Sequence, residues 1–404
     1  MTTASYRANA FLEAARRIGV SVTVGAEREQ ALAMANPAGH LTLDFLAPEM
    51  AVRSIAEFNK EYPINAVIAA DDDGVMIAAM AANALGLSHN PAEAVAAARN
   101  KFLMREILAQ AGIPCPRFAK FSIVENPEEI ARQISFPCVI KPLSLSASRG
   151  VIRADDASQF VTAFMRVAGI MQQPEIAGAG GDSSQHILVE SFIPGKEVAV
   201  EGLLSKGQLK VLAIFDKPDP LDGPFFEETI YVTPSRHPES AQKEIIECTS
   251  KTVKAIGLRE GPVHAELRIN EHGAWILEIA PRSIGGLCSR TLRFGEGISL
   301  EELILRHALG LDVENLERES LAAGVMMIPI PRAGILREVR GVQDAKDVTG
   351  IEDVRITIPI GQALVPLPEG KKYLGFIFAR GDTPDRVEAA LREANRRLTF
   401  TTES

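Results

Sequence analysis

The stretch VHAELRINEHGAWILEIA, residues 263–280, is the most informative part of the sequence because it predicts a β-hairpin that carries two glutamates. If Asn270 pairs with Ala274 across a three-residue turn, Glu266 lies directly opposite Glu278. Like charges that face each other on neighbouring strands are destabilising. A hard cation bound between the carboxylates removes that repulsion, and the ion usually bound in such a site is Mg²⁺ that also coordinates substrate phosphates. The hairpin therefore predicts a metal site for phosphoryl chemistry.

The length of the turn decides between two interpretations of this hairpin. A two-residue turn would place Glu266 and Glu278 on opposite faces, because one step of register reverses a side chain. Both glutamates would then be ordinary charges on a sheet. The segment PRSIGG at 281–286 and the lysine-bearing segments before the hairpin favour a shared face, which requires an odd-numbered turn at residues 271–273.

The composition bounds the class of protein. A chain of 404 residues should hold roughly two to three domains, and with 46% hydrophobic residues it can bury a large core. The formal charge of −9 argues against a nucleic-acid-binding protein. The four cysteines form no CxxC pair, no apolar run is long enough to span a membrane, and the N-terminus lacks an apolar signal-peptide core. We therefore expect a cytoplasmic protein.

Residues 1–99 predict an α/β domain with a doubly wound parallel sheet, because strands alternate with helices. The predicted elements are a helix at 5–19, strands at 20–26 and 40–46, a helix at 47–62, a buried strand from 64 that ends in the acidic loop 71–74, and a helix at 75–86. Such a domain usually begins with a strand, whereas this chain begins with a helix. Either the first strand is absent or it has been trimmed. We favour trimming, because the helix cannot bury its apolar face well without that strand.

Two further units follow. Residues 100–310 predict a second domain with subdomains at about 100–185 and 186–310, and residues 311–404 predict a small α+β module. Within the second domain, AGAGGDSSQ at 177–185 predicts a flexible loop with no structural pattern of its own. Antiparallel patterning then continues to residue 280, and a helix over 298–310 closes the unit.

Two lysines and a small-residue turn are candidate phosphate-binding elements. Lys101 opens a predicted helix, and Lys141 ends the strand FPCVIK. Two lysines directed into one cleft would neutralise a polyphosphate as point charges. The turn after Lys141 contains Ser146, Ser148 and Gly150, and its backbone N–H groups can surround phosphate oxygens as a nest does. Taken singly, a solvated lysine or an ordinary turn is the simpler interpretation of each.

The segment ILVESFIPGKE, residues 187–197, is compatible with nucleoside binding. The Glu190 carboxylate can accept from an adenine amino group, and Glu197 can accept from ribose hydroxyls. The backbone at Phe192 and Ile193 can read the ring edge. A surface hairpin explains the same segment equally well.

His264 is a further candidate because it lies two residues before Glu266 and shares its face on a regular strand. It would contact phosphate or support a ligand. A satisfied core histidine is an interpretation of at least equal weight.

Five segments in a fixed order resemble an ATP-grasp ligase. They are NKFLMREILAQAGIPCP (100–116), FPCVIKP (136–142), LVESFIPGKE (188–197), AELRI (265–269) and LEIAPRSIGG (277–286). The resemblance covers about residues 5–310 and implies the ATP-grasp fold with its N-terminal α/β domain. It implies that Lys101 and Lys141 bind ATP phosphates, that Glu190, Phe192, Ile193 and Glu197 hold adenosine, and that Glu266 and Glu278 bind two Mg²⁺ ions, with Mn²⁺ as an alternative.

One departure narrows the resemblance. Many ATP-grasp enzymes carry ExN at the second metal strand, whereas this sequence has Ala280 in the place of the asparagine. The amino-acid ligases tolerate that change, and EIAPRSIGG is similar to the L-amino acid ligases of the alanine–anticapsin ligase type. The resemblance implies that Arg282 contacts the transferred phosphoryl group and that Gly285 and Gly286 shape an amino-acid pocket.

The segment DKPDPLDGPFFEETIYVTPS, residues 216–235, bears on the substrate. In the amino-acid ligases a glutamate and a histidine from the matching strand line the substrate site. Glu228 fits the glutamate and would pair with the α-ammonium group. Tyr231 stands in the place of the histidine, which leaves the substrate open.

The resemblance implies an ATP-dependent carboxylate–amine ligase that forms an amide or dipeptide bond through an acyl phosphate and releases ADP and phosphate. Its partners would be small carboxylates and amines such as amino acids, with no nucleic acid or membrane, and a homodimer is usual in relatives. We expect the loop near Gly178 and the turn after Lys141 to close as a lid that excludes water. The alternatives are a biotin-carboxylase-like or purine-pathway carboxylase and a non-catalytic nucleotide-binding protein.

Overall fold

The computed structural model describes residues 7–28, 36–313 and 317–403. Its helices are α1 (Ala8–Ile18), α2 (Pro48–Glu61), α3 (Val75–Ala84), α4 (Ala92–Arg99), α5 (Lys101–Gln110), α6 (Pro127–Ala131), α7 (Ala157–Met171), α8 (Pro174–Gly180), α9 (Glu239–Ile256), α10 (Leu300–Ala308), α11 (Val342–Lys346) and α12 (Pro384–Arg397). Its strands are β1 (Val24–Ala26), β2 (His40–Thr42), β3 (Phe118–Ser122), β4 (Cys138–Pro142), β5 (Ile152–Ala154), β6 (His186–Ser191), β7 (Lys196–Ser205), β8 (Gln208–Asp216), β9 (Ile230–Thr233), β10 (Gly261–Asn270), β11 (Gly273–Ala280), β12 (Arg293–Phe294), β13 (Ile298–Ser299), β14 (Ala322–Ile328), β15 (Gly334–Arg340), β16 (Ile351–Ile356), β17 (Ala363–Leu364), β18 (Gly375–Gly381) and β19 (Thr399–Glu403).

The N-terminal unit pairs β1 and β2 in parallel, as the alternating pattern predicts. The predicted strand after residue 64 is wrong, since the structure has irregular backbone there. Ile68 is 36% exposed, so the segment is not buried as a central strand would be. Among the described residues the segment pairs with no strand, and an extended segment needs such pairing to become part of a sheet. It leads instead into the acidic turn Asp72–Gly74.

The second unit begins with a four-stranded antiparallel sheet in the order β3-β6-β4-β5, which α6 and α7 cover on one face. The prediction of a patternless loop at residues 177–185 is wrong. Residues 174–180 form α8, with Pro174 in its first turn, and a 3₁₀ turn follows over Gly181–Gln185. Proline favours the first turn of a helix because its fixed φ suits that position. Gly178 therefore belongs to a short helix.

The largest sheet has eight strands in the order β11-β10-β7-β8-β9-β14-β18-β16. Helices α4, α5 and α9 pack on it through an apolar cluster that includes Val198, Val263 and Ile276. Strands from the C-terminal region continue this sheet, because β14 pairs with β9 along four residues. The expected boundary at residues 310–311 falls between α10 and β14. Within the described residues no helix is long and apolar enough to cross a membrane.

The hairpin of β10 and β11 places Glu266 directly opposite Glu278, as the sequence predicts. The predicted turn is wrong, however, because Asn270 pairs with Gly273 and leaves two residues in the turn. A β-bulge restores the shared face. Glu266 pairs with Glu278 while the next residue, Leu267, pairs with Ile276, so Leu277 is the extra residue. A bulge inserts one residue into one strand and thereby reverses the alternation beyond it.

Candidate active site

A cavity of about 380 Å³ lies between the four-stranded and the eight-stranded sheets. All of the predicted site residues except Gly150 line it. They are Lys101, Lys141, Ser146, Ser148, Glu190, Phe192, Ile193, Glu197, Glu228, Tyr231, His264, Glu266, Glu278, Arg282, Gly285 and Gly286. Residues from three distant parts of the chain thus meet in one place, which their order in the sequence alone does not require.

The facing glutamates form the floor of the cavity together with Lys101. Asn100 caps α5 by accepting hydrogen bonds from two backbone N–H groups of the first turn, which fixes where the helix begins. Lys101, the first helical residue, is buried, and its Nζ donates to the carbonyl oxygen of Leu145 at 2.8 Å. The same Nζ lies 3.2 Å from Glu278 Oε2. Lys101 therefore joins β11 to the turn that follows Lys141.

His264 is satisfied on both ring nitrogens. It pairs across the strands with Glu201 of β7, whose carboxylate bonds Nδ1, and its Nε2 lies 3.3 Å from Glu266 Oε1. Burial alone would lower the pKa of His264, but the carboxylates of Glu201 and Glu266 outweigh it and raise that pKa to about 9. His264 is therefore a buried imidazolium at neutral pH that holds Glu266 in place.

This raised pKa predicts a pH dependence of stability. A group whose pKa is higher in the folded state stabilises it fully below the unfolded value, near 6.5, and loses that contribution as the pH rises through about 9. We expect the free energy of unfolding of the parent to fall by roughly 2–3 kcal/mol between pH 6.5 and 9.5. Chemical denaturation across this range measures it. His264→Gln should flatten the curve, whereas the exposed His272→Gln should leave the slope unchanged; equal slopes in all three proteins would contradict the assignment.

Lys217 is the most important site residue that the sequence interpretation missed. It follows β8 directly and is buried, and its Nζ lies 2.8 Å from Glu197 Oε1, 2.5 Å from Glu228 Oε1 and 3.5 Å from Glu266 Oε2. Each of these three glutamates has a carboxylate oxygen within 4.8 Å of an oxygen of the other two. Within the described part of the chain, this is the cluster of acidic side chains that is close enough together to hold a metal ion. Lysine occupies the centre of that group, which indicates an ionic hub.

The pKa values of two of these glutamates move in opposite directions. Burial raises the pKa of Glu228 above its ordinary value. Burial also acts on Glu266, but Lys217 and His264 outweigh it and hold the pKa of Glu266 well below its usual range. Glu266 is therefore ionised at neutral pH, as a metal ligand must be, while Glu228 takes up a proton more readily. The Tyr231 hydroxyl donates to Glu228 at 2.5 Å.

Arg268 is a second missed residue, although the period of two along β10 places it on the face of Glu266. It pairs across the strands with Glu197, and its Nε lies 3.2 Å from Glu197 Oε2. Its guanidinium lies 4.8 Å from the centre of the Phe192 ring and donates to the carbonyl oxygen of Ile193. Arg268 thus links the floor to the segment expected to hold adenosine.

The expected adenosine residues are themselves largely paired. Glu190 is buried between two cations, with Arg105 Nε at 2.6 Å and Lys141 Nζ at 2.5 Å. The Phe192 N–H donates to the carbonyl oxygen of Pro137, whereas the Ile193 N–H has no partner among the described residues. Of the two backbone N–H groups expected to contact adenine, the one at Ile193 therefore remains able to donate to the edge of the ring. The carboxylate of Glu190 holds Lys141 in the cavity.

The turn after Lys141 has two successive residues in the left-handed region of backbone conformation. Ala147 and Ser148 both adopt positive φ, at 56° and 54°. The Arg149 N–H donates to the carbonyl oxygen of Ser146 at 3.3 Å and closes a β-turn. Backbone turns can present N–H groups to an anion, and we call residues 146–150 the nest. Gly150 is the predicted residue that the structure leaves outside the cavity, because its N–H donates to the carbonyl oxygen of Pro368 at 2.8 Å.

Arg282 is held by the N-terminal unit. Its Nε and one Nη lie 2.7 and 2.8 Å from the two carboxylate oxygens of Asp72, a bidentate pair. Burial would raise the pKa of Asp72, but Arg282 outweighs it and lowers that pKa. Asp72 belongs to the acidic turn noted in the sequence, whose role the pattern alone did not indicate. The loop after β11 is therefore anchored by the N-terminal unit.

The wall beside Gly285 and Gly286 is apolar and aromatic. Cys288, Met327 and Tyr373 line it together with Ile284. Gly286 adopts φ 60°, and a Cβ there would lie 3.1 Å from the ring of Phe376. Both the backbone conformation and the neighbouring ring therefore favour glycine at this position.

Comparison with known families accounts for most of the chain. Residues 12–89 match the model of the ATP-grasp N-terminal domain, residues 134–291 match the ATP-grasp domain, and residues 326–403 match the L-amino acid ligase C-terminal domain 2. The three matches fall in the same order as the three structural units. The chain is an ATP-grasp protein.

Individual relatives of this ATP-grasp protein are ligases and synthases by name. It is 24% identical to alanine–anticapsin ligase of Bacillus amyloliquefaciens over 64% of its own length and 56% of the relative's. It is 27% identical to dapdiamide A synthase of Enterobacter agglomerans over 56% of its length and 52% of the relative's. The chain thus spans little more than half the length of these curated relatives.

A solved structure resembles the ATP-grasp protein along nearly its whole length. The L-amino acid ligase from Bacillus licheniformis superposes with a TM-score of 0.78 and 26% sequence identity, covering 98% of this chain and 95% of that one. The match includes the C-terminal strands that continue the large sheet. The ATP-grasp fold predicted from the sequence is therefore confirmed.

Proposed function

We propose that the protein is an ATP-dependent carboxylate–amine ligase that joins amino acids or closely related molecules. The observation that carries this proposal is that the expected metal floor of Glu266 and Glu278 shares one cavity with Arg282 and Glu228. In this proposal a phosphate site and a site for an ammonium group adjoin each other. The match of residues 326–403 to an L-amino acid ligase domain supports amino acids as substrates.

The residues fit the two groups that such a reaction needs. Glu266 and Glu278 offer hard oxygen ligands, and the low pKa of Glu266 keeps it ionised for a metal. Mg²⁺ held there would neutralise charge on the β- and γ-phosphates of ATP. Lys101 and Lys141 supply positive charge at the same place, and the nest at Ala147 supplies backbone donors. Two metal ions, and Mn²⁺ in their place, remain part of the proposal.

Catalysis in this proposal rests on positioning and charge neutralisation. A substrate carboxylate attacks the γ-phosphoryl group in line, ADP leaves, and an acyl phosphate forms. Arg282 faces the developing charge from the loop after β11. An amine then displaces phosphate and forms the amide. Glu228, whose pKa is raised by burial, lies where it can hold the ammonium group and accept its proton.

The decisive experiment measures phosphate release with ATP and Mg²⁺ in the presence of amino acids, singly and in pairs, together with detection of the amide product. We expect release only when both a carboxylate and an amine are present. Release stimulated by bicarbonate alone would favour the carboxylase alternative. ATP binding without turnover under any condition would favour a non-catalytic nucleotide-binding protein.

Substitution of Glu228 tests the substrate role separately from nucleotide binding. Glu228→Gln should raise the KM for the amino acid at least tenfold, because a charged partner worth about 1.5–3 kcal/mol is lost, while the Kd for ATP changes little. The neighbouring Glu227→Gln is the matched control, since Glu227 does not line the cavity. Equal KM values for the two variants would remove Glu228 from the substrate site.

A homodimer and a cytoplasmic location also remain proposals.

A further inference from the structure

The loop before β18 reaches from the C-terminal module to the four-stranded sheet. We name residues 366–373, PLPEGKKY, the clasp loop. The carbonyl oxygen of Pro368 accepts the Gly150 N–H at 2.8 Å, and the carbonyl oxygen of Glu369 accepts from Arg149 Nε at 2.9 Å. Two consecutive residues of the clasp loop are therefore bonded to two consecutive residues that end the nest.

A side-chain pair fastens the same loop to α7. Arg166 Nε lies 2.6 Å from Glu369 Oε1, and one Nη lies 2.9 Å from Oε2. This is the bidentate arrangement that fixes orientation as well as distance. The guanidinium also lies 5.1 Å from the centre of the Phe225 ring, which limits its freedom further. Arg166 belongs to the subdomain that carries Lys141 and the nest.

The far end of the clasp loop lines the active-site cavity. Lys371, Lys372 and Tyr373 all face it, within four residues of Glu369. The clasp loop therefore connects two walls of one cavity. Any movement of the four-stranded subdomain away from the floor must break the contacts at Glu369 or carry the clasp loop with it.

We propose that Arg166 and Glu369 are positioning residues that hold the nest at residues 146–150 over the ATP phosphates when the cavity closes. The inference rests on the proposed function for the identity of the ligand. The two side chains touch no substrate; they act through the nest and the clasp loop. A closed nest excludes water from the transferred phosphoryl group.

The small energy expected for the Arg166–Glu369 ion pair distinguishes a positioning role from a role in global stability. The side chains of Arg166 and Glu369 are 42% and 33% exposed. Partly exposed pairs contribute little to global stability, so loss of this pair should leave the folded state almost as stable. The Arg166–Glu369 pair acts instead on the equilibrium between the open and closed positions of the four-stranded subdomain. A small change in the free-energy difference between these positions alters their populations.

Charge reversal is the sharpest test, because repulsion replaces attraction without removing bulk. Arg166→Glu and Glu369→Arg should each raise the KM for ATP about three- to fivefold and increase the phosphate released per amide formed. The melting temperature should not change. The double variant Arg166→Glu/Glu369→Arg should restore the parent values. Reversal of the exposed pair Glu247 and Lys251 on α9 is the matched control.

A second measurement does not depend on the ligase activity. Hydrogen exchange at residues 146–151, with Mg²⁺ and a non-hydrolysable ATP analogue, should be faster in each single reversal than in the parent and the double reversal. Parent-like exchange and KM in both single variants would overturn the proposal, as would a double variant no better than the singles. If no amino acid supports turnover, the exchange result still decides this inference while the proposed function fails.

Discussion

Glu278→Gln should abolish nearly all ATP turnover while the protein stays folded. The substitution removes one of the two carboxylates that face each other across the bulged hairpin and leaves Glu266 without its partner in the proposed metal site. Loss of a single preorganised electrostatic contact at a reacting phosphate typically costs about a hundredfold to a thousandfold in kcat, and we expect the upper end here. Phosphate release at saturating ATP, Mg²⁺ and substrates is the measurement.

The folded state should tolerate this change. Lys101 keeps its hydrogen bond to the carbonyl oxygen of Leu145 when Glu278 loses its charge, so the free energy of unfolding should change by only about 1 kcal/mol. Glu271→Gln is the matched control, because Glu271 lies in the turn of the same hairpin with its side chain 77% exposed. Turnover by Glu278→Gln within tenfold of the parent would show that the facing glutamates do not hold the catalytic metal.

Lys217→Met should produce the largest loss of stability. Its side chain is 2% exposed and lies among Glu197, Glu228 and Glu266. Removal of one partner from a buried ionic group is expected to cost about 3–5 kcal/mol, because it leaves uncompensated buried charge. Denaturant unfolding at pH 7 measures the change. The exposed Lys243→Met on α9 is the control and should lie close to the parent.

The same variant should become unusually sensitive to divalent cations. Three carboxylates within 4.8 Å of one another form a cation site once the lysine is gone. Mn²⁺ should therefore raise the unfolding midpoint of Lys217→Met more than that of the parent, by mass action on the folded state. A loss of stability below 1 kcal/mol, or an equal response to Mn²⁺ in both proteins, would contradict the hub assigned to Lys217.

The sequence predicted the shared face of Glu266 and Glu278 for a reason that proved incomplete. Two backbone arrangements place the glutamates on the same face. One is a turn with an odd number of residues, and the other is a turn with an even number of residues followed by a β-bulge. The register pattern around the turn does not distinguish them, because Ile276 and Leu277 are both apolar and either can face the core. Local periodicity could therefore predict the pairing but not where the additional residue lies.

The missed residues share a different cause. Lys217 and Asp72 stand in loops, where no hydrophobic period assigns a direction to a side chain. Arg268 could have been found, because it follows Glu266 by two residues on one strand. The Gly178 segment was misjudged since glycine content suggested a loop, whereas Pro174 set the start of a helix. Ordered motifs predicted the fold. Lys217 and Asp72, which lie outside the five motifs, completed the site.

The narrow junction within the eight-stranded sheet has a mechanical consequence. Strand β9 meets β8 through one residue pair, Asp216 with Val232, but meets β14 through four. Tyr231, with Glu228 just before its strand, therefore lies on the C-terminal side of this junction, whereas Lys217 and Glu266 lie on the other side. The ion pair from Lys217 to Glu228 crosses this junction. A ligand bound in the cavity would therefore contact both parts of the sheet and add to the single residue pair that joins β8 to β9.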